Sequence, residues 1–289
     1  MSIPIKKLQS GFELPALGFG TWRMGQGTTY GQTLNDEKEI RAIHQAVERG
    51  LIHIDTAELY GAGYVEELIS TALNGIDRSK YFLTSKVNGQ NATKVGIHKA
   101  VRESLRRLKT NYLDLYLIHF RSEGVDLEEG IMALNEILED GLVKNIGVSN
   151  FKTETLALAQ SYSKNKLVCN QVQYNLEHRE AEANGLLDYC QKNDVLLVGW
   201  GPVRPITSQT QFIPVIAEIT QKYNKSAQQI AINWLASQNN VTTLLKASNL
   251  QHLQDDIDAV DFIMAPEDIE KLRNFFPGQI QVSAGFPMR

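Results

Sequence analysis

The sequence predicts an α/β fold, a (β/α)8 TIM barrel with an N-terminal β-hairpin. Three observations lead there. Helical and strand patterns alternate along nearly the whole chain, which calls for a parallel sheet covered by helices. Eight strand segments fit into 289 residues, which favours a closed barrel over an open sheet. An open doubly wound sheet would carry G-x-G-x-x-G after its first strand. Here "GFGTWR" and "GAGYVE" both lack the third glycine. No Pro/Gly/Ser-rich linker, charge block or low-complexity run divides the chain, so residues 1–289 read as one domain.

The elements follow in order. "PIKKLQSGFELP" reads as the hairpin, with its turn at Ser10-Gly11. "ALGFG" is the first barrel strand. "LNDEKEIRAIHQAVERG" places Ile40, Ile43, Ala46 and Val47 on one helical face. Asp36 and Glu39 have capping-box spacing, and Gly50 stops that helix. "LIHID" is the second strand, "VEELISTAL" a helix, and "YFLTSKV" the third strand. Residues 94–108 form a basic amphipathic helix before "LDLYLIH", the fourth strand, whose alternation is clear. A helix over 127–138 stops at Asp140-Gly141 ahead of "VKNIGVSN", the fifth. Helices over 153–161 and 185–192 lead into "LVCNQVQ" and "VLLVGW". Two helices follow, and Ser226 with Gln229 predicts a capping box on the second. "TTLLKAS" is the eighth strand, and a helix over 250–260 closes the fold.

Composition narrows the function. The net charge of −4 argues against a nucleic-acid partner or an anionic membrane surface. No apolar run approaches the roughly 20 residues of a membrane span. The opening "MSIPIKKLQSG" lacks the apolar core and cleavage site of a signal peptide. The two cysteines, Cys169 and Cys190, read as buried thiols in a reducing compartment, so the cytoplasm is expected. Neither C-x-x-C nor H-E-x-x-H occurs, and no metal is expected.

Barrels of this kind place their active groups at the C-terminal strand ends. Asp55 ends the second strand, and Tyr60 lies in the loop after it. Lys86, His119, Asn150, Gln171, Trp200 and Lys246 end the third to eighth. A phenol, with a pKa of about 10, is a poor acid near neutrality. A neighbouring ammonium lowers that value, and Lys86 on the adjacent strand supplies one. Asp55 pairs with Lys86, and His119 donates to the oxygen a substrate presents. The set suits protonation of a carbonyl oxygen as it gains negative charge. Singly, each residue has an ordinary alternative. Asp55 suits a helix cap, Tyr60 a packed aromatic, Lys86 a surface charge and His119 a bonded core histidine. Asn150 and Gln171 suit strand-end hydrogen bonding, and Trp200 suits packing. Their convergence on one rim favours the chemical reading.

"GFELPALGFGTW", "HIDTAELYG", "FLTSK", "NYLDLYLIH" and "IGVSNF", in that order, resemble the aldo-keto reductase family over nearly the whole chain. The resemblance implies a metal-independent barrel that reduces aldehydes and ketones with a nicotinamide cofactor. Its catalytic tetrad falls on Asp55, Tyr60, Lys86 and His119, with Tyr60 as general acid. Ser149, Asn150 and Gln171 match residues that hold the carboxamide, and Trp200 matches the aromatic stacked on the nicotinamide. Gly20, Thr21, Trp22 and Asp55 join the cofactor set. The family's Ser-Pro-Leu is here Gly201-Pro202-Val203, with Arg204 positioned for the pyrophosphate. Lys246, Ala247 and Ser248 fall on the 2′-phosphate site. The clamp arginine falls on His252, and the adenine pair on Asp255 and Asp256. A neutral imidazole grips phosphate less well than a guanidinium. NADPH is nevertheless expected because Lys246 stays, and the imidazole leaves NADH open. Trp22, Tyr60, His119 and Phe120 are the expected substrate contacts, and "GQIQVSAGFPMR" the segment that shapes substrate choice. Arg121 reads as a solvated loop charge. The expected partner is a small carbonyl substrate, and the expected state a monomer. Two rivals stand: a cofactor-binding sensor or accessory subunit, like the potassium-channel β-subunits of this superfamily, and an aldolase using Lys86 in a Schiff base.

Overall fold

A computed structural model describes residues 2–204, 213–246, 250–276 and 287–289, without the side chain of Leu250. Ala247, Ser248 and most of the segment 278–289 thus lie outside the described residues. Strands β1 (Ile5–Lys7) and β2 (Glu13–Pro15) pair antiparallel, Ile5 opposite Pro15. Gly11 turns between them at φ +92°, a conformation open to glycine at little cost.

Eight parallel strands then close on themselves in chain order. They are β3 (Leu17–Gly20), β4 (His53–Asp55), β5 (Phe82–Val87) and β6 (Leu115–Ile118). They continue as β7 (Ile146–Ser149), β8 (Leu167–Gln173), β9 (Leu196–Trp200) and β10 (Val241–Leu245), which pairs back onto β3. Around them lie α1 (Asp36–Glu48), α2 (Tyr64–Ala72), α3 (Lys94–Leu108), α4 (Leu127–Glu139) and α5 (Thr153–Tyr162). After β8 come α6 (Glu180–Ala183) and α7 (Leu186–Lys192). After β9 come α8 (Pro214–Tyr223) and α9 (Ala227–Ala236), and after β10 come α10 (Leu250–Ile257) and α11 (Pro266–Phe275).

Strand alternation sorts side chains between two apolar compartments. Inside the barrel, Leu115, Leu117, Leu196, Val198 and Leu244 cluster with Leu8, Phe12 and Leu14 of the hairpin. The hairpin therefore plugs the end where the strands begin, and Phe12 meets the Phe82 ring edge-on at 6.2 Å. Tyr116, Ile118, Ile146, Val148 and Leu197 belong to the outer compartment beneath the helices. With the lower interior filled, the upper inward positions remain for polar groups.

The structure departs from expectation at α1. Its N-cap is Asn35, and no capping box forms. The Asp36 carboxylate instead accepts from Thr33 and from the Tyr64 hydroxyl, and Glu39 accepts from the Gly25 amide. Partners from the loop after β3 and from α2 thus outcompete the local cap. The Ser226–Gln229 box does form, with both of its bonds. The short α6 and the whole of α11 lie beyond the elements expected. In α11 the start signals were present, Pro266 followed by Glu267 and Asp268 in the first turn.

Gly18 marks the tightest point of the barrel floor. A Cβ there would sit 2.4 Å from His53 Nδ1 and 2.8 Å from Leu244 Cδ2. Gly18→Ala is expected to lower stability by about 1–3 kcal/mol in urea unfolding, the usual cost of overpacking. In a His53→Ala background the same substitution should cost less. Equal costs in the two backgrounds would show that His53 is not the obstacle.

Candidate active site

The site starts from a buried charge. Lys86, on β5, is fully buried, and its ammonium donates to Asp55 Oδ1 at 2.6 Å and to the Thr56 carbonyl at 2.8 Å. Register explains the meeting: Asp55 pairs with Thr84, two residues before Lys86 on the same strand face. The second Asp55 oxygen accepts from Gln171 Nε2 at 2.8 Å, from β8 across the barrel. The Gln171 carbonyl in turn accepts from Ser149 Oγ and from the Asn150 amide, each at 2.8 Å. Asn150 sits at φ +61°, a left-handed conformation asparagine tolerates. Its side-chain amide donates to the His119 carbonyl and to Ser149 Oγ, both at 2.9 Å. The Trp200 indole donates to Asn150 Oδ1 at 3.4 Å. One network therefore runs around the rim from Lys86 to Trp200.

Tyr60 opens the 3-10 turn Tyr60–Gly63 after β4 and is buried. Its ring centroid lies 5.3 Å from Lys86 Nζ, 5.6 Å from the His119 ring and 4.9 Å from the Trp22 ring. Burial lowers the proton affinity of Lys86, and Asp55 opposes that fall. Burial, reinforced by the Lys86 charge, pushes His119 well below its ordinary value, so its imidazole is neutral. Tyr60 corrects an expectation. Lys86 was expected to lower its pKa, yet burial and then the Asp55 carboxylate push it well above 10. At neutral pH the phenol holds its proton.

These groups form one end of a cavity of about 540 Å³. Gly20, Trp22, Asp55, Tyr60 and His119 line that end, with Ser149, Asn150, Gln171 and Trp200. Gly201, Pro202, Val203 and Arg204 continue the wall towards Lys246 and Asp256. Lys86 lies beneath Asp55 rather than on the lining. Thr21 is also absent from it: its amide and hydroxyl both donate to the Asp55 carbonyl, tying β3 to β4. Phe120 packs beside His119 at 5.4 Å between rings, outside the cavity wall. His252 and Asp255, on α10, do not line it either.

Sequence reasoning passed over Arg23, which lines the same cavity. Its position next to Trp22 in the loop after the first strand was visible in the sequence, but nothing there aims its side chain at the cavity. Arg23, Arg204 and Lys246 bring three cations to one wall. Burial first, and the Arg23 charge in addition, lower the proton affinity of both Arg204 and Lys246. Arg204 lies 4.9 Å from the Trp200 ring, and Lys246 Nζ donates to the Trp22 carbonyl at 2.8 Å. Mutually repelling cations on one wall suit a polyanionic ligand such as a dinucleotide. Among the described residues, no group of three or more His, Cys, Asp or Glu side chains is placed to hold a metal ion. None of the described helices is long and apolar enough to cross a membrane.

Comparison with known proteins agrees with this geometry. The chain is 33% identical over 268 residues to the methylglyoxal reductase of Escherichia coli (strain K12), covering 91% of this chain and 92% of that protein. A thermostable aldo-keto reductase crystallised with the inhibitor epalrestat superposes with a TM-score of 0.90 at 37% identity, over 94% of this chain and 99% of that one. An aldo/keto reductase from Klebsiella pneumoniae, solved with NADP and acetate, gives 0.85 at 28% identity, over 96% of each chain. Residues 16–276 match the Aldo/keto reductase family, and the chain belongs to it.

Proposed function

We propose that this enzyme reduces an aldehyde or ketone to an alcohol with NADPH, and that Tyr60 is its general acid. One observation carries the reading. The buried Lys86–Asp55 pair lies beside Tyr60 and the neutral His119, at a cavity that Arg23, Arg204 and Lys246 also line. When bound, the cofactor supplies the hydride. Ser149, Asn150 and Gln171 offer amide and hydroxyl groups suited to its carboxamide, and Trp200 offers a face for its ring. Arg23, Arg204 and Lys246 suit its phosphates. His119 orients the carbonyl by donating to its oxygen.

The protonated phenol supports the acid role in the reductive direction. A developing alkoxide is far more basic than a phenolate, which favours proton transfer from Tyr60 to it. The phenolate left behind faces the Lys86 ammonium, which stabilises it in a low-dielectric site. An ammonium that stabilises the phenolate favours proton release from the phenol to the same extent, against the rise that burial and Asp55 impose. The named activity of the Escherichia coli relative supports a small aldehyde as substrate. The net charge of −4 supports the absence of a nucleic-acid or anionic-membrane partner, and the buried free thiols Cys169 and Cys190 suit a reducing compartment such as the cytoplasm.

Two measurements test this reading. Tyr60→Phe should bind NADPH as the parent does and lose about 10²- to 10⁴-fold in kcat, the usual contribution of general acid catalysis. Unchanged turnover removes Tyr60 from the role. The second concerns Asp256, whose carboxyl is pushed up to about 7 by burial and by the neighbouring Asp255. It is neutral below that pH and anionic above it, facing a cavity meant for phosphate. NADPH affinity should therefore fall as pH rises through about 7, and fall less in Asp256→Asn. Fluorescence titration of both proteins between pH 6 and pH 8 checks this, and parallel curves would refute it.

A further inference from the structure

We propose that Glu66 and Arg107 are positioning residues for Tyr60, a buried ion pair behind the barrel wall that fixes the turn carrying the phenol. The proposal rests on Tyr60 being the acid. Directly after Tyr60 come Gly61 at φ 57°, Ala62 at φ 50° and Gly63 at φ 94°. Three successive left-handed residues are unusual, and an alanine is strained in that conformation. Such a turn persists only where its surroundings over-determine it.

The surroundings do so from two sides. In front, the Gly61 amide donates to the Gly27 carbonyl at 2.6 Å. Behind, the Arg107 guanidinium of α3 packs on Gly63 so closely that a Cβ there would lie 2.7 Å from Nε. Arg107 Nε donates to Glu66 Oε2 at 2.6 Å. Glu66 is fully buried on α2, and its other oxygen accepts from Ser85 Oγ at 2.6 Å. Ser85 precedes Lys86 on β5, and alternation sends its side chain outward while that of Lys86 points inward. One carboxylate therefore joins the strand that carries the ammonium to the turn that carries the phenol. Replacing such a pair by apolar residues often leaves stability unchanged, so stability alone accounts poorly for it. A fixed distance between Lys86 and Tyr60 accounts for it better.

The test uses the full chain. Glu66→Met combined with Arg107→Leu removes both charges and leaves none buried alone. The expected protein folds, binds NADPH as the parent does and keeps its carbonyl KM. Its kcat falls about 10- to 100-fold, the scale of a misplacement near 1 Å. Its solvent deuterium isotope effect on kcat rises, because proton transfer has slowed. Arg107→Lys alone should give an intermediate kcat, since lysine keeps the charge but not the planar fork. A folded double variant with parental kcat and isotope effect overturns the proposal. Should the double variant fail to fold, Arg107→Lys decides: a parental kcat and isotope effect overturn the proposal, and a lower kcat with a raised isotope effect upholds it. Tyr60→Phe run in parallel separates the two layers. If it keeps full turnover, the acid assignment is wrong; if it alone is slow, only the clamp is.

Discussion

The contact between Lys86 and Asp55 sets the terms for the rest of the site. A fully buried ammonium costs several kcal/mol unless it is paired and its remaining protons are satisfied. Here the partners are a carboxylate at 2.6 Å and a carbonyl at 2.8 Å. The carboxylate needs satisfaction as well, and Gln171 supplies it from the opposite wall. That bond commits Gln171, which commits Ser149 and Asn150, which commits the backbone of His119. One buried charge thus organises the rims of five strands. A partly satisfied network of this kind would be worse than an apolar core.

The barrel makes room for this by dividing its interior along its axis. The hairpin's Leu8, Phe12 and Leu14 fill one end with the first inward residues of the strands. Asp55, Lys86, Ser149 and Gln171 then stand at or near the last inward positions of β4, β5, β7 and β8, above His53 and Thr84, which meet lower in the interior at 3.0 Å. Strand ends in a closed barrel are rigid mounts, which suits groups that must hold their geometry. Tyr60 is the exception, since it stands on a turn. The turn is stiffened instead by left-handed residues locked between the Gly27 carbonyl and the Arg107 guanidinium.

What could be read from the sequence followed from this layout. Alternation in "LDLYLIH" gives both the strand and its orientation, and the strand-end rule turns chain order into position. Asp55, Lys86, His119, Asn150, Gln171 and Trp200 were legible for that reason. Features set by competition in three dimensions were not. Asp36 and Glu39 carry a capping pattern, but Thr33, Tyr64 and Gly25 claim them. Arg23 sits at φ +68° in an irregular loop, and no periodicity aims its side chain at the cavity. Thr21, Phe120, His252 and Asp255 fall on the family's site positions in sequence, yet they do not line the described cavity. The proton affinity of Tyr60 was misjudged because proximity to an ammonium is visible in a strand order, whereas burial is not.

Burial also explains how charge is distributed along the cavity. At the inner end it favours neutral forms, and both the Tyr60 phenol and the His119 imidazole are driven that way. The Lys86 charge survives there because Asp55 cancels it at short range. Along the wall that Arg23, Arg204 and Lys246 line, Asp256 is shifted towards its neutral acid by burial and by Asp255, so it offsets those cations less. The result is a gradient, with little net charge where the carbonyl must sit and excess positive charge where phosphates must sit. An anion entering this cavity is drawn to the outer wall and away from the phenol. A carbonyl oxygen meets strong electrostatic stabilisation only once it becomes negative, which is when Tyr60 and Lys86 can act on it.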